Sequence, residues 1–332
     1  MTSGPLVSIC IPTYNSAAFL KEAIDSARRQ TYDNLEIVVS DNASTDGTQE
    51  MVAAIPDPRI RYYRNRANLG MVANFRRVLA ESRGKYVCLL NSDDLMDPGF
   101  IQWAVQAMEA RPRATFAFAS IRFFGQKQGE RVWPLPEVMS GQKYIRESLR
   151  RAHLLAFWCG ALARADLVHQ VGIEDCYFCD WTLWLRLACR GEVLYNRQVL
   201  AANRSHDANV TKLEVGKIYR GFEENFQAID AYVRKEPAGN ASLAQSCINK
   251  IFIRYLQNLA LNCNIAWADY WDEFRKFIHA PASRLNKLIF LPLAIIGHAL
   301  YCAIPWNKNL LQFIKLFITK NRDIKLINNP LD

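Results

Sequence analysis

The first hundred residues alternate short apolar runs with segments of helical periodicity, and this order constrains the fold more than any other feature. Predicted strands occupy the runs 6–11, 35–40, 59–64, 86–90 and 114–124, and the first is almost continuously apolar, as expected of a buried parallel strand. Between the first four runs, residues 15–30, 48–54 and 71–82 place apolar side chains on one helical face. Such alternation is typical of a parallel sheet covered by helices, so the predicted fold class is α/β with a mostly parallel sheet.

Strand patterns become rare in the second half of the chain. Residues 125–141 contain Pro134, Pro136 and Gly141 and are predicted to be loops over one edge of the sheet. Residues 180–189 form a predicted helix. Earlier in the chain, Asn15 or Ser16 and Asp97 are predicted to cap the helices that follow them. Beyond about residue 214 only helical patterns recur. We therefore predict an α/β domain over residues 1–213 and a helical C-terminal region over residues 214–332.

The helical region contains an unusual apolar segment. Residues 288–307 include no Lys, Arg, Asp or Glu, and about 20 such residues suffice to span a bilayer. Pro292, Gly297 and Pro305 interrupt the run, and basic residues flank it on both sides, which argues against a span. We expect residues 285–320 to associate with the membrane interface; a packed helical subdomain and a true span remain alternatives.

Composition excludes several classes of protein. Half of the 332 residues are hydrophobic and 22% are charged, which is typical of a folded chain and excludes a disordered one. The formal net charge is +9, but no single basic tract carries it, so we expect a phosphate-rich ligand or an anionic membrane surface and no nucleic acid. Residues 1–5 have no secretory signal pattern, so we expect a peripheral protein on the cytoplasmic side of the membrane.

Polar residues follow the predicted strands directly. Residues 12–15 follow the first strand, Asp41 follows the second, and Asp93 and Asp94 follow the fourth. In open parallel sheets ligands bind outside the carboxyl ends of the strands. A divalent cation such as Mg²⁺ needs only one or two carboxylates there, with the remaining positions taken by substrate phosphates and water. The alternative is that these aspartates only cap turns.

Several ordered motifs resemble the family 2 glycosyltransferases of the GT-A fold, of the type that builds bacterial cell-surface glycans. The motifs are VSICIPTYN at 7–15, VSDNASTDGT at 39–48, NLG at 68–70, LNSDD at 90–94, CDWTLWLRL at 179–187 and RSH at 204–206. The resemblance covers about the first 210 residues. It implies an enzyme that transfers a sugar from a nucleotide-diphosphate sugar, and a UDP-sugar is expected.

The resemblance also implies roles for individual residues. Asp41 would pair with an N–H of the base, and Asp93 and His206 would bind Mg²⁺ or Mn²⁺. The family's D-x-D motif falls on Asn91-Ser92-Asp93, so its first member carries no charge here. The residues expected to hold the nucleotide are Pro12, Tyr14, Asn15, Asp41, Asn68, Asn91 and Ser92.

Asp180 is the expected catalytic base. The family commonly has an acidic pair before this helix, and here Cys179 replaces its first member. One carboxylate that removes the acceptor proton is sufficient for an inverting transfer. Asp180 could instead only cap its helix. Trp158 could stack on an acceptor sugar, or pack in the core as Trp181 and Trp184 could.

The sequence therefore predicts an inverting glycosyltransferase of surface polysaccharide biosynthesis, acting on a hydroxyl of a glycan or polyprenyl-linked acceptor at the membrane. The alternative is a non-catalytic nucleotide-sugar-binding subunit that supports a partner enzyme, which the replacement of two acids by Asn91 and Cys179 keeps open.

Overall fold

The computed structural model describes residues 4–151, 154–175 and 179–206. The predicted boundary at residue 213, the helical C-terminal region and the membrane-associating segment lie outside these residues. Within the described ranges, no helix is long and apolar enough to cross a membrane.

The predicted α/β sheet is present. Its strands are β1 (Val7–Thr13), β2 (Leu35–Asp41), β3 (Ile60–Arg64), β4 (Tyr86–Leu89), β5 (Leu95–Met96), β6 (Ala114–Gly125), β7 (Gly129–Arg131), β8 (Val138–Ser140), β9 (Ala161–Arg164) and β10 (Glu192–Ser205). In the described part of the chain these ten strands form one sheet in the order β3-β2-β1-β4-β9-β6-β10-β5, while β7 pairs with β6 and β8 with β10.

Six strands of the sheet run in the same direction. Parallel pairs join β1 to β2, β1 to β4, β2 to β3 and β6 to β10. The short strand β9 lies antiparallel to both β4 and β6, so β6 and β10 point the same way as β1 to β4. The carboxyl ends of all six strands therefore share one edge of the sheet.

Helices cover both faces of the sheet. They are α1 (Ala17–Arg28), α2 (Thr48–Ala53), α3 (Met71–Ala80), α4 (Phe100–Glu109), α5 (Gly141–Arg151), α6 (Ala165–Val171) and α7 (Cys179–Ala188), with a 3₁₀ turn at Trp158–Gly160. Apolar residues of α1, α2 and α4 pack with one face of the sheet in one core, and those of α3, α5, α6 and α7 pack with the other face in a second. Both cores are built from side chains that alternate along the strands, as a sheet buried on both faces requires.

Three local predictions were wrong. Helix α1 is not capped by the Asn15 or Ser16 side chain: the Asp46 carboxylate accepts a hydrogen bond from the Ala17 N–H at 2.8 Å, because the loop after β2 packs against the start of the helix. Helix α4 begins at Phe100, since Asp97 and Pro98 form a turn before it. The region 125–141 is not only loop, because it contains β7 and β8.

Candidate active site

Loops at the carboxyl edge of the sheet carry the residues that the sequence analysis singled out. The edge is defined by the last residues of the six parallel strands: Thr13, Asp41, Arg64, Leu89, Gly125 and Ser205. Pro12 and Asp41 belong to strand ends, and Tyr14, Asn15, Asn68, Asn91, Ser92, Asp93 and His206 follow within four residues of one. The fold therefore brings these residues to the edge where open α/β sheets bind ligands.

The loop after β1 is fastened to the loop after β2. The Asn15 N–H donates to the Ser44 Oγ at 2.9 Å, and the Asn15 Oδ1 accepts from the Thr45 N–H at 2.8 Å. Asn15 has a positive φ of 48°, a conformation that asparagine tolerates better than most residues. Its side chain thus shapes this loop, while Tyr14 stands 47% exposed beside it and Pro12 is buried.

The Asp41 carboxylate is completely buried. Its Oδ1 accepts hydrogen bonds from the Ser44 N–H and Oγ at 2.9 and 2.5 Å, and its Oδ2 accepts from the Tyr62 hydroxyl at 2.5 Å and the Arg64 guanidinium at 3.2 Å. Burial raises the pKa of the Tyr62 hydroxyl well above its usual range, and the hydrogen bond to Asp41 raises it further. In this arrangement the Asp41 carboxylate is not exposed, whereas the neighbouring Arg64 side chain is 38% exposed.

Asn68 belongs to a network of amide side chains that joins the loops after β2 and β3 to helix α3. The Asn68 Oδ1 accepts from the Asn42 side chain at 2.7 Å and from the Gly70 N–H at 2.9 Å. Asn42 in turn accepts from Asn65 at 3.0 Å, and the buried Asn74 donates to the Ser40 carbonyl at 2.9 Å. The described contacts of the Asn68 carbonyl are therefore those of a loop-forming residue.

Asp93 and His206 lie side by side. The His206 Nε2 and the Asp93 Oδ2 are 2.9 Å apart, and both side chains are about one-fifth exposed. At this distance the two side chains are hydrogen-bonded to each other. Two ligands held about 2.1 Å from one octahedral cation at right angles are also about 3 Å apart, so the pair is close enough for both to bind one cation in place of that bond.

The donor set also fits the metals expected. A carboxylate suits Mg²⁺ and Mn²⁺, and the imidazole favours the softer Mn²⁺. Among the described residues no group of three or more His, Cys, Asp or Glu side chains could hold a metal. Asp93 and His206 are therefore the two candidate ligands in the described part of the chain, and substrate phosphates and water would take further positions.

Asp94 and Asn91 hold the turn that presents Asp93. The buried Asp94 carboxylate accepts from the Asn91 and Asn203 side chains, each at 3.0 Å, and from the Arg204 N–H at 2.9 Å. Burial, reinforced by the adjacent Asp93 charge, raises the pKa of Asp94 above its usual range. The Asn91 amide is thus directed toward Asp94 within the turn, and Ser92 is half-buried beside it.

Asp180 lies in the first turn of α7 and is half-buried. Helix α7 packs on the sheet and ends shortly before β10 begins at the opposite, amino edge, so it starts near the carboxyl edge. The Asp180 Oδ1 accepts from the Trp181 N–H at 2.7 Å. Burial raises the pKa of Asp180 to about 6, which keeps it mainly ionised at neutral pH and suited to accept a proton.

The tryptophans are core residues. Trp158 is 7% exposed, and its ring lies 5.9 Å from Phe75 and 5.3 Å from Trp184, measured between ring centroids. Trp181 is also buried and donates to the Ser148 Oγ at 2.7 Å. Of the two interpretations left open for Trp158, core packing is the one observed.

Sequence reasoning missed Tyr62, Arg64 and Arg204. Tyr62 and Arg64 enclose Asp41, and Arg204 contacts the Asp93 turn through its side chain. A sequence signal for Arg204 was available, because it lies two residues before the candidate ligand His206 in the RSH motif.

The fold and the site together define a GT-A glycosyltransferase: a nucleotide-binding parallel sheet with a D-x-D-like turn at its carboxyl edge. The family model described as "Glycosyl transferase family 2" matches residues 8–172. The chain belongs to this family and is a glycosyltransferase.

Similar sequences also include proteins named as glycosyltransferases. The chain is 29% identical over 226 residues to an uncharacterised glycosyltransferase of Rickettsia typhi, a match that covers 65% of this chain and 69% of the relative. It is 43% identical over 96 residues to an abequosyltransferase of Salmonella typhimurium, covering 27% of this chain and 29% of that protein.

Solved structures share the fold. TarS from S. aureus, in complex with UDP-GlcNAc, superposes with a TM-score of 0.63 at 14% identity, over 80% of this chain and 77% of that one. A mannosyltransferase from Pyrobaculum calidifontis, in complex with GDP-Man and Mn²⁺, gives a TM-score of 0.56 at 17% identity, over 90% and 87% of the two chains.

Proposed function

We propose that this glycosyltransferase transfers a sugar from a UDP-sugar, with inversion, to a hydroxyl of a glycan or lipid-linked acceptor in bacterial surface polysaccharide biosynthesis. The observation that carries the proposal is the Asp93–His206 pair, 2.9 Å apart at the carboxyl edge of the sheet. A carboxylate and an imidazole so placed would supply two of the roughly six ligands of a divalent cation, and phosphate oxygens of a nucleoside diphosphate and water would supply others.

Asp93 and His206 would hold Mn²⁺ or Mg²⁺. When bound, such a cation neutralises the charge that develops on the diphosphate as it departs from the sugar. Asn91 and Ser92 belong to the same turn, and we assign them to the ribose. The residues present fit a metal that is held jointly by protein and donor.

Asp180 provides the base. Its ionised carboxylate removes the proton of the acceptor hydroxyl while the oxygen attacks C1 of the sugar from the side opposite the diphosphate. The C1–oxygen bond to the diphosphate breaks as the new bond forms, so the configuration inverts and no covalent enzyme intermediate is needed. The pKa of about 6 supports this role, because burial has brought it close to the working pH.

The nucleotide is assigned to the loops after β1, β2 and β3, with Pro12, Tyr14, Asn15, Asp41 and Asn68. The choice of a UDP-sugar is supported by the family resemblance and by the fold shared with TarS, which was solved with UDP-GlcNAc. The mannosyltransferase solved with GDP-Man makes a GDP-sugar the alternative to test. Because Asp41 is enclosed, a direct contact with the base requires Tyr62 or Arg64 to move.

A location on the cytoplasmic side of the membrane is proposed from the sequence alone. The net charge of +9, and the apolar run 288–307 within the segment 285–320, favour attachment to an anionic bilayer, where a lipid-linked acceptor would lie. The test is sedimentation with anionic liposomes of the intact chain and of a chain without residues 285–332. Equal sedimentation of both would refute the role of this segment.

The decisive experiment for the function is a donor screen. The full chain is incubated with UDP- and GDP-sugars and Mn²⁺, and slow donor hydrolysis is followed by the release of nucleoside diphosphate. Asp33→Ala is a matched control, because Asp33 is exposed and precedes β2 at the amino edge.

We expect release from a UDP-sugar that requires Mn²⁺ and falls at least 100-fold in Asp93→Ala. The Asp33→Ala control should release nucleoside diphosphate at the rate of the unmodified chain. Release that is unaffected by chelator and by Asp93→Ala would refute the metal site, and release from GDP-sugars only would refute the donor assignment.

A further inference from the structure

The Arg204 guanidinium lies between two aromatic rings. Its Cζ atom is 5.0 Å from the centroid of the Phe19 ring and 4.4 Å from that of Phe124. Its Nε donates to the Asp93 carbonyl at 2.9 Å, and one terminal nitrogen pairs with the Glu22 carboxylate at 2.7 Å. The side chain is only 14% exposed. A planar guanidinium with ring contacts and directed hydrogen bonds is held far more rigidly than a surface arginine.

These contacts join three separate elements at the metal-binding turn. Phe19 and Glu22 belong to α1, Phe124 to β6, and Asp93 to the turn after β4. The Arg204 main chain adds a second connection, because its N–H donates to the Asp94 carboxylate at 2.9 Å. One residue of β10 therefore contacts two consecutive residues of the turn.

His206 depends on the same surroundings. It lies two residues after Arg204, and its ring centroid is 4.6 Å from that of Phe19, so Phe19 contacts both side chains. We propose that Arg204 is a positioning residue: clamped by Phe19 and Phe124, it fixes the Asp93 turn next to His206 so that the two side chains form a divalent-metal site. This inference rests on the metal site of the proposed function.

Charge and geometry make opposite predictions for Arg204. A positive charge next to a cation site weakens cation binding, so removing it should strengthen binding if charge alone mattered. If Arg204 instead positions the ligands, its removal should weaken binding by about 10-fold to 100-fold, the usual cost of losing a group that orients metal ligands. The sign of the change therefore distinguishes the two effects.

The test is a titration of the full-length chain with Mn²⁺, alone and with UDP, in which the EPR signal of free Mn²⁺ gives the dissociation constant. For Arg204→Ala we expect Mn²⁺ to bind about 10-fold to 100-fold more weakly. Arg204→Lys keeps the charge but cannot maintain both hydrogen bonds and the ring contacts, so it should also bind Mn²⁺ more weakly than the unmodified chain. Phe124→Leu removes one ring and should weaken binding by about 3-fold to 10-fold.

Arg122→Ala is the matched control. The Arg122 guanidinium also lies over the Phe124 ring, at 5.7 Å, but Arg122 is exposed and belongs to β6 rather than to the segment that contacts the turn. Its removal should change Mn²⁺ affinity less than twofold. Thermal unfolding of each variant, and the mild Phe124→Leu change, separate loss of the site from loss of the fold.

The outcomes are distinct. Unchanged or tighter Mn²⁺ binding by Arg204→Ala would overturn the proposal while leaving the metal site and the proposed function intact. No binding by the unmodified chain, with or without UDP, would refute the metal site and the role of Arg204 together. Donor turnover measured on the same preparation would then show whether sugar transfer survives without a metal.

Discussion

Replacing Tyr62 by phenylalanine should destabilise the protein by an amount that follows from the contacts of Asp41. The Tyr62 hydroxyl donates to the buried Asp41 Oδ2 at 2.5 Å, and the other donor to that oxygen is the Arg64 guanidinium at a longer 3.2 Å. Because the pKa of Tyr62 is raised, the phenol remains a donor at any working pH. Tyr62→Phe therefore removes the shorter of two hydrogen bonds to a buried charge.

A hydrogen bond to a charged group contributes about 1.5 to 3 kcal/mol. For a folded domain of about 200 residues, each kcal/mol shifts Tm by about 2 to 4 °C, so Tyr62→Phe should lower Tm by about 3 to 12 °C. The assay is thermal unfolding followed by circular dichroism at pH 7. Tyr14→Phe is the control, because it removes the same atom from a half-exposed side chain and should change stability by less than about 0.5 kcal/mol.

Equal Tm values for the two variants would refute the reasoning. They would mean that Asp41 does not depend on the Tyr62 hydroxyl, and that its carboxylate is accessible to water or a ligand in solution. Such accessibility would favour the direct contact between Asp41 and the base that the family resemblance implies.

Two further predictions concern Asp180. In Asp180→Asn, kcat for acceptor turnover should fall by about 10²-fold to 10⁴-fold. Donor affinity, measured by nucleotide titration, should stay within twofold of that of the unmodified chain. Unchanged turnover would remove Asp180 from the mechanism. The pKa of Asp180 is raised to about 6, so its active, ionised form is lost as the pH falls through 6. The kcat should therefore be half-maximal near pH 6, and at pH 5 it should be about one-tenth of its value at pH 7. A kcat that is constant from pH 5 to pH 7 would exclude a base with this pKa.

The parallel part of the fold was predictable because its signal is local. Strands β1, β2 and β4 are buried and largely apolar, whereas β3 is only partly buried. The predicted bounds of all four strands agree with the structure within two residues. Strands β9 and β10 carried no such signal. β9 has only four residues, and β10 pairs with β6 through register shifts between Asn196 and Ala201 that break any regular alternation.

The site was predictable in its residues but not in its contacts. Asp93 and His206 come from separate motifs, and only the pairing of β10 with β6 and β5 brings them together. The enclosure of Asp41 depends on Tyr62, a residue of β3 with no distinguishing sequence feature. Long-range contacts of this kind are fixed by topology, which periodicity and propensity do not encode.

The amide network around Asn74 provides a built-in spectroscopic probe of the nucleotide loops. The Asn74 side chain is 3% exposed, and its Nδ2 donates to the main-chain carbonyls of Ser40, at 2.9 Å, and Thr13, at 3.4 Å. Its two amide protons therefore experience different surroundings and are shielded from exchange with water. In a ¹⁵N-edited NMR spectrum these protons should give two separate and persistent signals. A nucleotide that binds at the ends of β1 and β2 would then change the chemical shifts of Asn74 without contacting its side chain.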